Sequence, residues 1–342
     1  MDKIYFIRSN ANKIGGAEKY LSRLRDQLKK NNIESEIITR NFSRYIPSWL
    51  AVIYFNFLVC LTKREKFYFS LERINCPDIY RAGDGVHKYF LRKIKKSKLN
   101  PLHRLYLYLE KRCFKNSKKI IANSEFVKKQ IVNEYHIDSD KIVTIYNGIN
   151  HKDFDSQISK KKIRKVFDVK EKPVILFVGS GFHRKGLANF LEILSLIDGD
   201  FISFIIGKDK NLEHYKNKAH ELKIVDKVYF LGEIKEVSHY YAAADFLILP
   251  THYEPFSNVI LEAMSFKTVV FTTKQNGASE ILDREFVMDD PYDISVATKI
   301  SNIISNPDAL EKHKNNHFNI SKKYTIEKNF EQTLRLLNEI ID

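Results

Sequence analysis

The sequence predicts an α/β protein of two Rossmann-like, doubly wound domains facing a cleft. Three observations lead there. Apolar runs of strand length alternate with helical patterns along most of the chain, the alternation occurs twice, and 342 residues suffice for two ordinary domains. Strands alternating with helices require right-handed crossovers, so each sheet should be parallel and covered on both faces. Ligands of such sheets bind beyond the carboxyl ends of the strands.

Taken in order, the first half offers IYFIR (4–8), a helix from about Ala17 to Lys30, SEIITR (35–40), DIYRAG (78–83), KIIANS (119–124), a helix, and KIVTIYNG (141–148). Within it, WLAVIYFNFLVCL (49–61) is almost wholly apolar but shorter than the roughly 20 residues a membrane span needs. It predicts a buried helix, with an interfacial segment as the alternative. Residues 89–112 mix aromatics, leucines and many cations, the composition of a segment lying on an anionic membrane. An RNA-binding stretch has a similar composition, but no recognisable nucleic-acid module surrounds this one.

The stretch 151–172, with its KKKIRK run, reads as a linker. Beyond it lie VILFVG (174–179), FIIG (204–207), VYFLG (228–232), DFLILP (245–250) and TVVFTT (268–273), separated by helical patterns near 187–197, 211–222, 236–243 and 257–266. Residues 325–342 form an amphipathic helix pattern with Phe330, Leu334, Leu337 and Ile341 on one face, able to pack on either half. The predicted boundaries are 1–155 for the first domain, 165–324 for the second and 325–342 for the final helix.

Charge is uneven between the halves. Residues 1–150 hold 30 Lys and Arg against 14 Asp and Glu, whereas residues 151–342 hold 27 against 28. The excess therefore lies in one half, which points that half toward an anionic partner: nucleic acid, anionic membrane or a phosphorylated substrate. Cys60, Cys76 and Cys113 are odd in number and match no metal spacing, so reduced thiols in a cytosolic protein are expected. The opening residues MDKIYFIRSN are too charged for a signal peptide and run straight into a strand pattern.

Four segments carry candidate chemistry. In THYEPFSNVILEAM (251–264) a strand ends at Pro250, and Ser257 is a suitable N-cap for the helix that follows. Amides at Ser257, Asn258 and Val259 would then suit a phosphate, with Glu254 on the loop before the helix and Glu262 about 7 Å along its axis. Carboxylates accept hydrogen bonds from hydroxyls, so each acid could hold one sugar ring of a nucleotide sugar. Two Glu at this spacing also arise by chance in a chain this acidic.

GSGFHRKG (179–186) follows a strand directly, and its Arg184 and Lys185 would stabilise a departing diphosphate. It matches neither a P-loop nor a dinucleotide fingerprint, and a basic turn is the structural alternative. His183 reads as a solvent-facing turn residue. In NKIGGAEKYL (12–21), Gly15 and Gly16 open a helix and would let backbone approach a ligand, or make only a tight turn. In YRAGDGVHKY (80–89), Asp84 and His87 stand among glycines at a strand end, either acting on a substrate or forming a structural pair.

These segments, in this order, resemble glycosyltransferase family 4, the retaining nucleotide-sugar transferases of the GT-B fold. Glu254 to Glu262 matches the family's E-x7-E motif, GSGFHRKG resembles its donor diphosphate loop, and GGAEKYL its N-terminal glycine loop. ANSEFVKK (122–129) and TIYNGINHKDF (144–154) match segments at the end of its first domain, and RAGDGVH resembles the lipopolysaccharide core glucosyltransferases that act on heptose.

The resemblance implies that Glu262 binds ribose, Arg184 and Lys185 the diphosphate, and Glu254 the transferred sugar, with Gly15, Gly16, Phe256, Ser257, Asn258 and Val259 completing the donor site. Ser180 stands where the family often has an Arg, so Arg184 would serve instead. The resemblance further implies catalytic roles for Asp84 and His87 beside the acceptor. The implied activity is retaining transfer of a hexose, from a UDP-sugar or similar donor, to a lipopolysaccharide-type or other lipid-linked glycan. It implies no metal and no cofactor, and the chain has no DxD-like acidic pair on a suitable loop. The expected place is cytoplasmic, at the inner face of the cytoplasmic membrane, held by the basic first half, with no nucleic-acid partner. A sugar-nucleotide epimerase of the same architecture and a non-catalytic membrane or nucleic-acid binder are the rival readings.

Overall fold

The computed structural model describes residues 3–9, 16–39, 46–94, 100–151, 156–169 and 171–341. They divide into two units, Met1–Asn147 with Ile326–Asp342, and Gly148–Thr325.

The first unit is built on six parallel strands, β1 (Ile4–Ile7), β2 (Ser35–Ile38), β3 (Phe67–Ser70), β4 (Ile79–Arg81), β5 (Lys119–Ala122) and β6 (Ile142–Thr144). They lie in the order β2-β1-β3-β4-β5-β6. Its helices are α1 (Gly16–Lys30), α2 (Ser48–Leu61), α3 (His87–Lys93), α4 (Pro101–Asn116) and α5 (Glu125–Tyr135). Local chemistry sets their starts. Asn100 caps α4 by accepting from Leu102 N at 2.9 Å, with Pro101 at the first position, and Ser124 caps α5 by accepting from Val127 N at 3.2 Å. β3 escaped the sequence reading because it is four residues long and sits between β1 and β4, with Tyr68, Phe69 and Ser70 buried and no alternation to betray it.

The second unit repeats the plan with β7 (Val174–Val178), β8 (Ile202–Ile206), β9 (Val228–Gly232), β10 (Phe246–Leu249), β11 (Val269–Thr273) and the two-residue β12 (Val287–Met288). These strands are parallel, in the order β12-β11-β10-β7-β8-β9. Its helices are α6 (Ser156–Val166), α7 (Phe182–Lys185), α8 (Leu187–Ser195), α9 (Leu212–Glu221), α10 (Ser238–Ala243), α11 (Asn258–Ser265), α12 (Val296–Ile304) and α13 (Pro307–Ser321). Every residue of β7, β8, β10 and β11 is buried, as continuous apolar runs covered on both faces require. The chain runs outward from β7 to β8 and β9 on one side, then returns to build β10, β11 and β12 on the other. The β7–β10 neighbours thus form the topological switch point.

Three expectations need correction. The supposed linker contains α6, which packs on α10. There Ile163 is buried and Arg164 bonds Asp245 at 2.9 Å, at the foot of β10. Its lysines are the outer face of an amphipathic helix. The division between units falls at Asn147 and Gly148, ahead of the expected 155.

Cys60 and Cys76, expected as reduced thiols, are joined in a disulfide with their Cα atoms 5.7 Å apart. The return along β3 brings the end of α2 beside the loop that follows, which spacing alone did not show. Cys113 remains free and buried, its thiol pushed up to about 12 by burial.

The final helix, α14 (Ile326–Ile341), belongs to the first unit. Phe330, Leu336 and Leu337 enter the core formed by Ile4, Phe6, Leu21, Leu24 and Leu28. Among the described residues, no helix is long and apolar enough to cross a membrane.

Candidate functional site

The loop after β7 is shaped by two glycines. Gly181 (φ +75°) caps α7, and Gly186 (φ +79°) ends it where a Cβ would meet the Pro250 carbonyl oxygen at 1.8 Å. The single turn between them is tied to the loop after β8, because Asp209 accepts from Phe182 N at 2.7 Å. That turn carries Arg184 and Lys185 across to the segment following β10.

There the two cations meet one carboxylate oxygen. Glu254 Oε2 lies 2.5 Å from Arg184 and 2.6 Å from Lys185 Nζ. Arg184 also donates to the Tyr253 carbonyl at 3.1 Å. Glu254 itself is pinned by backbone, Glu254 N to Gln275 O and Gly277 N to Glu254 O, both at 2.9 Å. Burial opposes ionisation of Glu254, but Lys185 and Arg184 outweigh it and hold the carboxyl at about 2. Burial likewise pulls Lys185 below the usual lysine range, with Glu254 acting against it. Among the described residues the cluster holds two cations and one carboxylate, so one positive charge remains uncompensated at the switch point.

Glu262 lies one turn into α11, half-buried, and accepts from the Tyr241 hydroxyl at 3.1 Å through Oε2. Tyr241 is buried, and burial beside that carboxylate holds its phenol well above the ordinary range. Ser257 precedes α11 as expected, yet its side chain does not cap the helix. Its amide donates to Asn276 Oδ1 at 3.2 Å and is therefore already engaged. Among the described residues its hydroxyl is buried and without a partner. Phe256 is buried, while Asn258 and Val259 are half-buried.

Two contributors escaped the sequence reading. Asn276 accepts from Ser257 N and from Ala278 N, and donates to Thr272 Oγ1 at 3.1 Å, so it holds the start of α11 to the end of β11. The Asn-Gly pair at 276–277 was a legible turn signal for it. Tyr241 had no comparable signal. His183 is exposed as expected and stacks on His252 with ring centroids 5.6 Å apart.

In the first unit, Gly16 opens α1, and a Cβ there would meet nothing within 4 Å; Gly15 lies outside the described residues. Asp84 is exposed and 3.8 Å from Arg8, which stands at the end of β1 and binds Glu18 at 2.8 Å and Glu72 at 3.3 Å. His87 begins α3 and turns to α4 instead. Its Nε2 is 3.2 Å from His103 Nδ1, its ring rests edge-on to Tyr106, and its amide donates to the buried Glu110 at 2.7 Å. The two side chains, three residues apart, thus contact different elements.

Two family models match the chain: Glycosyl transferases group 1 over residues 159–320, and Glycosyltransferase Family 4 over residues 79–153. The chain is 29% identical over 175 residues to an uncharacterized glycosyltransferase of Methanocaldococcus jannaschii, covering 49% of this chain and 45% of the relative. It is 28% identical over 214 residues to the O-antigen chain mannosyltransferase RfbU of Salmonella typhimurium, covering 61% and 58%. The chain thus spans about half the length of the curated relatives it matches. In fold it resembles the crystal structure of WaaG, a glycosyltransferase involved in lipopolysaccharide biosynthesis, with a TM-score of 0.82, 18% identity, and coverage of 96% of this chain and 98% of that one.

Proposed function

The chain belongs to the group 1 and family 4 glycosyltransferases and has the GT-B fold, and from that premise we propose that it is a hexosyltransferase using a nucleotide diphosphate sugar. The observation that carries this reading is the Arg184–Lys185–Glu254 cluster at the switch point of the second sheet, on the same sheet edge as Glu262.

A diphosphate is what such a cluster lacks. Its uncompensated positive charge attracts the anion, and charge that builds on the leaving group as the glycosidic bond breaks is met by groups already fixed in place. The buried Ser257 hydroxyl gains a phosphate oxygen as its acceptor. Glu262 has Oε2 occupied by Tyr241, which leaves Oε1 for the ribose hydroxyls. Glu254 receives both cations through Oε2, which leaves Oε1 for a hydroxyl of the transferred sugar. With Arg184 and Lys185 supplying the positive charge, transfer proceeds without a metal, with retention, and the departing diphosphate takes the acceptor proton.

The acceptor is a lipopolysaccharide-type or other lipid-linked glycan, with Asp84 and His87 on the acceptor side. RfbU and WaaG, whose names refer to O-antigen and lipopolysaccharide, support this class. The protein works in the cytoplasm, peripherally on an anionic membrane face, through the cationic excess of its first half. A panel of UDP-, GDP- and ADP-sugars read by thermal shift tests the donor reading. One nucleotide sugar should stabilise the protein, and the Glu262→Ala variant should lose that shift. If none stabilises the wild type, the reading fails.

A further inference from the structure

Helix α2 has an apolar face on each side. Inward, Ala51, Phe55 and Val59 follow at intervals of four, and Phe55 and Val59 pack with Ile7, Tyr68 and Ile74. Outward, Trp49, Leu50, Ile53, Tyr54, Phe57 and Leu61 recur at helical spacing and are each 40–64% exposed. Not one charged residue falls between Ser48 and Leu61. So many large apolar side chains on one exposed face mark an interaction surface rather than ordinary scatter.

That face is fixed in its orientation. Cys60, near the end of α2, lies against Cys76 of the loop after β3, their Cα atoms 5.7 Å apart. Asn56 accepts from Asn75 N at 2.8 Å, and Lys63 pairs with Asp78 at 2.9 Å just beyond the helix. Rolling the outer residues inward would break all three ties.

Charge decides what covers the face. Helix α4 packs beside α2, and Arg104, Lys111, Arg112 and Lys115 are exposed on it together with Tyr108. A second copy meeting like for like would bring together two halves that each carry an excess of 16 cations over acids. An anionic bilayer is attracted by the same charge. At about 21 Å, fourteen residues cannot cross a hydrocarbon core of about 30 Å, so the helix lies in the plane of the interface.

We propose that α2 is a monotopic anchor whose outer face, Trp49 to Leu61, enters the headgroup–acyl boundary of an anionic membrane while α4 supplies the electrostatic contact. This rests on the peripheral-membrane reading above and names the element that inserts.

Trp49 is the only tryptophan of the chain, so intrinsic fluorescence reports the helix directly. The full chain is titrated with phosphatidylcholine vesicles, with and without 30% phosphatidylglycerol, while co-sedimentation is measured in parallel. On anionic vesicles, Trp49 emission should shift to the blue and be quenched by lipids brominated at shallow acyl positions. Leu50→Gln and Phe57→Gln should each weaken partitioning about tenfold and leave donor-induced thermal stabilisation unchanged. Sedimentation on anionic vesicles with unmoved Trp49 emission overturns the insertion of α2 and leaves the electrostatic membrane reading standing. No sedimentation at all overturns both. A blue shift that follows protein concentration without lipid means that a second copy covers the face, and overturns the anchor.

Discussion

The Tyr241 hydroxyl donates to Glu262 Oε2 at 3.1 Å, from a buried phenol held protonated by its surroundings. A hydrogen bond accepted by one carboxylate oxygen orients the group and leaves its partner oxygen for a ligand. Hydrogen bonds to a charged group contribute about 1.5–3 kcal/mol each. Losing two ribose contacts in Glu262→Ala should therefore weaken the donor at least a hundredfold by calorimetry. Tyr241→Phe, which removes only the orienting bond, should cost about tenfold or less. Unchanged donor affinity in a folded Glu262→Ala protein sinks the ribose assignment.

Arg184 and Lys185 should govern the chemical step. Removing one preorganised contact to developing charge costs about 10²–10³ in rate, so each alanine variant should lose that much turnover while holding donor better than Glu262→Ala does. In Lys185→Ala the Glu254 carboxylate keeps Arg184 as its partner, so the pair stays balanced and the fold should be retained. Full turnover in both single variants would return the loop to a structural role, and a strict Mg²⁺ or Mn²⁺ requirement would count against metal-free transfer.

Acid should weaken the second unit in two separate windows. Burial lowers His317 from 6.5 to about 4, while its Nδ1 accepts from Val270 N at 3.0 Å in β11. The unfolded chain then takes up this proton first, so the stability that neutral His317 lends is complete above about pH 6.5 and gone near pH 4. Glu254, at about 2 against an ordinary 4.5, contributes fully above about pH 4.5, and that contribution disappears toward pH 2. Each window is worth on the order of 3 kcal/mol. Denaturant midpoints across pH should fall in the upper window for wild type and flatten there in His317→Gln. An equal slope in both proteins refutes the assignment.

His87 is assigned to the acceptor, and its ring sits against His103 and Tyr106 of α4. His87→Ala should lower transfer to authentic acceptor at least tenfold and leave donor-induced thermal shifts intact. A normal transfer rate makes the ring a packing element of α3 on α4.

The fold was legible because parallel sheets write themselves as apolar runs, and β7, β8, β10 and β11 are such runs, each five residues or fewer and wholly buried. β12 was missed because two residues carry too little pattern. The candidate residues Arg184, Lys185, Glu254 and Glu262 were legible from motif order. Their pairing was not, because it depends on a one-turn helix between Gly181 and Gly186 that bends two cations onto the neighbouring strand's loop. The Ser257 amide, expected to face a phosphate, donates to Asn276 Oδ1, a partner that arrives from the loop after β11 and that local spacing does not show. The disulfide was hidden for a similar reason: sequence spacing does not show where a strand turns back. Lys95, Lys96 and Lys98 of the basic 89–112 segment lie outside the described residues.

Helix α14 returns to the first unit after the whole of the second has been traversed. During synthesis the residues of β1 to β6 leave the ribosome early, yet their core waits for Phe330 and Leu337, which emerge after Thr325. The second unit, Gly148–Thr325, is contiguous and has no such debt to a later segment. The half made first is therefore finished last. A nascent chain arrested before α14 should show a protease-resistant second unit beside a digestible first one. Until α14 emerges, the apolar residues that Phe330 and Leu337 will cover should stay exposed.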